Sequence, residues 1–355
     1  MHAHSGLAVS DIDLHPVWTP PPPARVPVDR STALAILDDT VSDFLQLLDI
    51  VPASATDLLH ATAAAMHRFS TAILLCERAG FTRTALMPHL ERLRALHARS
   101  PFVARLQAWP RGYAGDFETV EYICDARNHS TPGTVPWAIE ECALQSPVAQ
   151  QHRNKVGLQA RAILSTIVAN PRGRIASVGC GGCRDLSLIQ DYLAPDQGRF
   201  VLVDADPAAL EFARSRLTRI ADRCELVPGS VPRVLTKLTA RDQFDLVVAG
   251  GLFDYLPDRW AVATLKGLAR IMKPGGRLLF SNIAAGNPFR PWIEYLADWR
   301  LIERSPADLE QLIGEAGFPG AARRIFRDST SLALMIELTG DRLNRPEAGC
   351  RRVIP

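Results

Sequence analysis

The chain has 355 residues, 47% hydrophobic and 22% charged, with a formal net charge of +2 at pH 7. That is the composition of a globular protein able to bury a large core. The near balance of 40 basic against 38 acidic side chains leaves no strong basic field for a nucleic-acid backbone. No apolar run approaches the roughly 18 residues that a membrane span needs. The N-terminal residues lack the basic patch and apolar stretch of a secretory signal. Seven scattered cysteines read as reduced thiols of a cytoplasmic protein, not as a disulfide framework.

In chain order, residues 1–30 form a leader carrying Pro16 and the run Pro20–Pro23. Consecutive prolines supply no donors to helix or sheet, so this stretch is expected to be extended or disordered. Residues 31–170 carry apolar side chains at i, i+3, i+4 spacing with Ser or Thr near several starts, which predicts an all-helical domain of five to seven helices. From residue 171 to 340 the texture becomes α/β. RIASVGC, RFVLVDAD, CELVPG, FDLVVAGG and GRLLFSNIA are short apolar runs bounded by Gly, Asp or Asn, as buried parallel strands are. Helical stretches are expected over 185–194, 207–220, 260–272 and 307–316. The alternation implies a mainly parallel sheet covered on both faces. SLALMIELTGD reads as a last strand, added antiparallel at the sheet edge. Residues 341–355 are a tail.

The first chemical signal is Gly179-Cys180-Gly181-Gly182-Cys183, directly after the first strand. A glycine turn there lets the backbone approach a ligand, and the next helix points its N-terminus at that ligand. Asp204 ends the second strand about 25 residues on, where an acidic side chain can take both hydroxyls of an adenosine ribose. Asp206 is better placed to cap the helix that follows. Cys180 and Cys183 form C-x-x-C, but no second ligand pair with metal spacing accompanies them, so they read as small residues in a tight turn and no metal is implied.

These residues resemble the class I S-adenosylmethionine-dependent methyltransferases. The resemblance covers about 174–340 and rests on VGCGG, the acid in LVDADP, the strand FDLVVAGG, and KPGGRLLF between a helix and a strand. It implies a Rossmann-like domain binding S-adenosyl-L-methionine. Gly179, Cys180 and Gly181 would line its methionine part, Asp204 with Ala205 its ribose, and Ser230 and Val231 its adenine. Gly250, after the fourth strand, would border the same site. Cys183 replaces the third glycine of the usual turn, and Ser230 stands where an acid is common.

The segment Trp109-Pro110-Arg111-Gly112-Tyr113-Ala114-Gly115-Asp116-Phe117-Glu118-Thr119 gathers three aromatics, an arginine and two carboxylates around two glycines. It reads as a lid over the cofactor, with Tyr113 and Asp116 toward the cationic methionine end and Arg111 toward a carboxylate. The alternative is a helix connection with Asp116 as an N-cap. With GLFDYL at 251–256 and EYLADWRLIER at 294–304, PRGYAGDFET is similar to a bacterial subgroup of these methyltransferases. That subgroup is associated with 3-hydroxy fatty acid methyl ester signals and with biosynthetic clusters. The resemblance implies a helical N-terminal lid domain capping the Rossmann-like one.

Methyl transfer is an in-line displacement in which the protein chiefly supplies proximity and alignment. A hydroxyl or amine acceptor benefits from a base. Tyr113, Asp116 and Asp254 are the candidate catalytic residues, expected to converge beside the sulfonium. Asp254 is alternatively a helix cap. Asn282 is expected at the same mouth. The acceptor is expected to be a small molecule with an apolar remainder against Phe253 or Trp292. Trp299 reads as core and Arg304 as exposed. Two other readings compete: a different S-adenosylmethionine reaction such as cyclisation to azetidine-2-carboxylate with release of methylthioadenosine, or a non-catalytic binding protein. A homodimer is compatible with the sequence.

Overall fold

The computed structural model describes residues 28–49, 52, 54–239, 243–318 and 322–340. The proline run and the tail from 341 lie outside the described residues. Seven helices open the chain: α1 (Arg30–Gln46), α2 (Ala55–Arg78), α3 (Arg83–His97), α4 (Pro101–Ala108), α5 (Phe117–Asp125), α6 (Val135–Gln145) and α7 (Pro147–Ala169). Each starts on a side-chain cap. Asp29, Ser54, Thr82, Ser100, Asp116, Thr134 and Ser146 each accept a backbone N–H of the first turn. Such a cap satisfies one of the donors a helix start leaves free, and typically contributes about 1 kcal/mol.

The second half runs β1 (Arg174–Val178), α8 (Arg184–Ile189), β2 (Arg199–Asp204), α9 (Pro207–Arg216), β3 (Cys224–Pro228), α10 (Val231–Thr239) and β4 (Phe244–Ala249). It continues with α11 (Asp258–Ile271), β5 (Met272–Ile283), α12 (Arg290–Tyr295), α13 (Pro306–Glu315), β6 (Ala322–Arg327) and β7 (Ala333–Thr339). The strands form one seven-stranded sheet in the order β3-β2-β1-β4-β5-β7-β6. β1 to β5 pair in parallel, whereas β7 is antiparallel to both β5 and β6. This is the Rossmann-like methyltransferase fold, preceded by a helical region.

β7 therefore lies inside the sheet, not at its edge. The edge is β6, whose sequence ARRIFR carries three arginines and conceals a strand from a hydrophobicity reading. Charged edge strands of this kind resist pairing with another chain. α10 and α12 also lie outside the helical stretches expected from sequence.

Three apolar clusters build the core. One face of the sheet packs Val247, Leu278 and Phe280 against Leu235, Leu265 and Leu309 of α10, α11 and α13. The other packs Ile175, Leu202 and Val248 against Ile163, Leu186 and Leu210 of α7, α8 and α9. α7, the last helix of the N-terminal half, thus lies against the sheet. The third cluster joins α1–α6 to Ile283 and to residues 292–301. The order of strands reverses between β1 and β4, and a ligand crevice forms outside the carboxyl ends of strands at such a switch point.

Candidate functional site

Gly179 and Cys180, at the end of β1, both donate to the carbonyl of Val203, at 2.8 and 3.1 Å. The loop turns through positive φ at Gly179 (65°), Gly181 (52°) and Cys183 (50°). Only glycine takes this conformation freely, so Cys183 closes the turn with some strain and its buried thiol fills the space below it. A Cβ on Gly181 would stand 3.3 Å from Phe117 Cβ, so the start of α5 sits directly over the loop.

Asp204 ties the loops of three strands together. Its Oδ2 accepts Gly181 N–H at 2.8 Å, its Oδ1 accepts Asp206 N–H at 2.9 Å, and its carbonyl accepts Gly229 N–H at 2.9 Å. Burial raises its carboxyl above the ordinary value although the backbone donors oppose the shift. Beside it, Ala205 and Ser230 are exposed, and Val231 packs partly into the sheet core at the start of α10. Gly250 closes β4. Its carbonyl accepts Ser281 Oγ at 2.6 Å, and a Cβ there would overlap the Gln159 amide at 1.7 Å.

The 109–116 segment bends at Trp109 (φ 45°), Gly112 (82°) and Gly115 (67°) and reaches the end of β2. Arg111 grips Asp206 with Nε and Nη2, the latter at 2.7 Å, and also approaches Glu118 at 3.4 Å. Its guanidinium lies 4.9 Å over the Phe117 ring. This bidentate pair holds the Asp206 carboxyl below its ordinary value, and Tyr113 adds a hydrogen bond to Asp206 at 3.4 Å. Arg111 and Tyr113 therefore stand at the end of β2, beside Asp204. Asp206 both caps α9, through Ala208 N–H, and receives the lid. The sequence indicated only the cap.

Asp116 is buried, caps α5 through Thr119 N–H at 3.0 Å, and pairs with Arg105 at 2.6 Å. Glu121 further along α5 binds Arg184 of α8 at 2.8 Å and Arg216 of α9 at 2.6 Å. These bonds fasten α5 to α8 and α9.

Asp254 is also buried. It pairs with Lys155 of α7 at 3.2 Å, its Oδ1 accepts Ile283 N–H at 2.6 Å, and its carbonyl accepts Ile302 N–H at 2.8 Å. It joins α7, β4 and the end of β5. The neighbouring Tyr255 hydroxyl fills the space that a Cβ on Gly115 would need, 1.9 Å away, and accepts Trp299 Nε1–H at 2.8 Å. His152 stacks on Trp299 with centroids 5.2 Å apart.

Four expectations are corrected. Asn282 is buried, bonding the carbonyls of Ile283 and Ile302, and so does not face the mouth. Arg304 is 2% exposed, not a surface arginine; it binds Asn282, Asp258 and the carbonyls of Phe253 and Leu256. Phe253 is core against Phe280, and Trp292 is core beside His97, so neither offers an apolar wall to a substrate.

The structure thus brings Gly179, Gly181, Asp204, Arg111, Tyr113 and Asp206 into one polar cluster, with Asp116 and Asp254 each neutralised by its own cation. Sequence reasoning missed Gln151, His152, Lys155 and Gln159. Their only sequence signal is polar residues at positions i, i+1, i+4 and i+8 of one helix. Among the described residues no group of three or more His, Cys, Asp or Glu could hold a metal ion, and no helix is long and apolar enough to cross a membrane.

Residues 176–278 match the profile of the methyltransferase-domain family, a segment that runs from β1 into β5 and holds the glycine loop and Asp204. No curated protein matches the chain. Among solved structures, the chain is similar to a protein of Bordetella parapertussis described as a possible exported protein, with 20% identity over 87% of this chain and 97% of that one, at a TM-score of 0.58. It is also similar to the S-adenosylmethionine-dependent methyltransferase SibL in its apo form, with 17% identity over 87% and 96% of the chains and a TM-score of 0.43. The N-methyltransferase NodS of Bradyrhizobium japonicum WM9, in complex with S-adenosyl-l-homocysteine, aligns with 16% identity over 64% and 98% at 0.40.

Proposed function

We propose that this chain is an S-adenosylmethionine-dependent methyltransferase that modifies a small molecule in the biosynthesis of a signal or secondary metabolite. The carrying observation is Asp204. It ends β2 beside the strand-order reversal, and each of its oxygens is oriented by one backbone amide. A carboxylate fixed in this way keeps lone pairs for two vicinal hydroxyls, which fits a ribose. Gly179 and Gly181 supply a backbone that a ligand can approach, and the matched methyltransferase-domain profile spans the same residues.

In this reading Gly179, Cys180 and Gly181 border the methionine part, Ala205 adjoins the ribose, and Ser230, Val231 and Gly250 border the rest of the cofactor. Arg111 and Tyr113 close the ribose side through Asp206. Asp116 and Asp254, each committed to a cation and to backbone donors, act as positioning residues that hold the lid and the β4 and β5 loops. The cofactor supplies an already activated methyl group, so alignment and exclusion of water are what the chain must provide. The helical region 31–170 serves as lid and acceptor domain. Free thiols at Cys180, Cys183 and Cys224 suit the reducing cytoplasm.

Calorimetry with S-adenosylhomocysteine tests this reading. Asp204→Ala should weaken binding by at least about 1.5 kcal/mol, roughly tenfold; equal affinity of variant and parent would remove the assignment. Incubation with S-adenosylmethionine and a substrate should yield S-adenosylhomocysteine. Methylthioadenosine as product would instead indicate cyclisation or transfer of the other sulfonium arm.

A further inference from the structure

α7 carries polar groups that the cofactor does not account for. Gln151 is fully buried, and neither its Nε2 nor its Oε1 has a hydrogen-bond partner among the described residues. His152, 7% exposed, has an unpartnered Nε2 while its ring lies on Trp299 at an interplanar angle of 19°. Residues 151, 152 and 155 share one face of the helix, and Lys155 on that face is held by Asp254. A stack of contacts runs from His152 through Trp299 to the Tyr255 hydroxyl and on to Gly115 of the lid. The polar face of α7 therefore adjoins the 109–116 segment and the loop after β4. A buried amide with both ends unsatisfied is expensive in a native fold and calls for an explanation. This amide and the unpartnered His152 Nε2, on consecutive residues, point to a ligand.

We propose that Gln151 and His152 form the methyl-acceptor subsite. His152 Nε2 takes the proton from the hydroxyl or amine that is methylated, and the Gln151 amide binds a neighbouring donor–acceptor group of the same molecule. This rests on the methyl-transfer reading above. The acceptor oxygen or nitrogen forms the new bond to the methyl carbon, the carbon–sulfur bond breaks with its electrons returning to sulfur, and the proton passes to Nε2 and later to solvent. His152 gains a positive charge as that of the methyl donor is lost, so the net charge inside the pocket is unchanged. Burial, with Lys155 and Arg153 nearby, keeps the imidazole well below its ordinary value and hence neutral before the transfer. The buried cation on this face is already neutralised by Asp254, so the subsite takes an uncharged molecule, one with a hydroxyl or amine next to an amide or carbonyl group.

Three measurements test this. Nitrogen-15 NMR of histidine-labelled protein without cofactor should show an unprotonated Nε2 on His152 at pH 7; an imidazolium there overturns the proposal. Calorimetry should show 3-hydroxybenzamide binding to the S-adenosylhomocysteine complex, weakened about tenfold or more by Gln151→Leu. With tritium-labelled methyl donor and a panel of phenol, 3-hydroxybenzamide, benzylamine and octanoate, an O–H or N–H compound should be methylated. His152→Gln should lower that kcat by about 100-fold, within the range general-base catalysis spans, while leaving S-adenosylhomocysteine affinity within about twofold, which shows the variant folded. Retained kcat, methylation of octanoate alone, or cofactor binding with no probe bound or methylated would each overturn the subsite. Failure of S-adenosylhomocysteine to bind the parent protein would instead overturn the methyltransferase reading itself.

Discussion

Single residues next to the glycine loop carry charge at a cost set by burial. Asp185, in the first turn of α8, is 4% exposed; its Oδ1 accepts Leu186 N–H at 2.8 Å while its Oδ2 has no partner. Burial pushes its carboxyl up to about 6, against the opposing backbone hydrogen bonds. An unfolded aspartate titrates near 3.9. The folded chain thus keeps a proton between about pH 4 and 6 that the unfolded chain releases, and the stability this confers is lost as pH rises through about 6. Asp185→Asn keeps the acceptor and removes the titration. It should stabilise the protein by up to about 3 kcal/mol near pH 8, two pK units' worth, and by almost nothing near pH 4. Urea unfolding at the two pH values measures the difference, and an equal effect at both would refute the account. Asp204 is also raised by burial, and in the proposed function its two oriented oxygens are kept for a ligand.

At the scale of elements, the connection from α4 to α5 turns on two glycines. Gly112 and Gly115 both have positive φ, but their surroundings differ. A Cβ on Gly112 meets nothing within 4 Å, whereas on Gly115 it meets the Tyr255 hydroxyl at 1.9 Å and Trp299 Nε1 at 3.0 Å. Gly112→Ala should cost only the backbone strain, about 1 kcal/mol. Gly115→Ala must also displace a rigid tyrosine and break its bond to Trp299, adding roughly 1–3 kcal/mol of overpacking. Thermal unfolding of the two variants checks the order, and tryptophan fluorescence should change in Gly115→Ala alone. The two glycines look alike in PRGYAGDFET. The difference between them is Tyr255, which reaches this turn only because the β4 loop folds under it.

For the whole molecule, the shared core matters most. Helices α1–α6 bury their apolar faces together with Ile283, Trp292, Tyr295 and Trp299 from the sheet half. Arg94 of α3 binds the carbonyl of Tyr295 and also Asp298, and Arg290 binds Glu77 of α2. Two halves joined by a common apolar core and by such ion pairs should lose structure together. Calorimetric unfolding should show one transition. S-adenosylhomocysteine at 100 times its Kd should raise the stability of that single transition by about 2.7 kcal/mol. Two separate transitions, with the ligand shifting only the later one, would show that the helical half folds independently of the site.

The alternation of strands and helices, the glycine turn and Asp204 were all legible from the amino-acid sequence, because each rests on local information. A buried strand is a short apolar run, a turn needs glycine, and the acid follows about one βα unit after the turn. Several helix starts in 31–170 were legible for the same reason, since a Ser or Thr cap and the amide it binds lie three residues apart. Partnerships across long separations were not. Arg111 meets Asp206 across 95 residues, and Lys155 meets Asp254 across 99. The sequence read Asp206 as a helix cap and Asp254 as a residue near a ligand mouth, but which cation neutralises each depends on where the crossovers carry the helices. The same holds for β7, whose interior position follows from β6 pairing outside it, and for Gln151 and His152. A polar residue on an amphipathic helix has the same spacing whether it faces water, a buried partner or a ligand. Only the packing of α7 against Trp299 decided that these two lie buried.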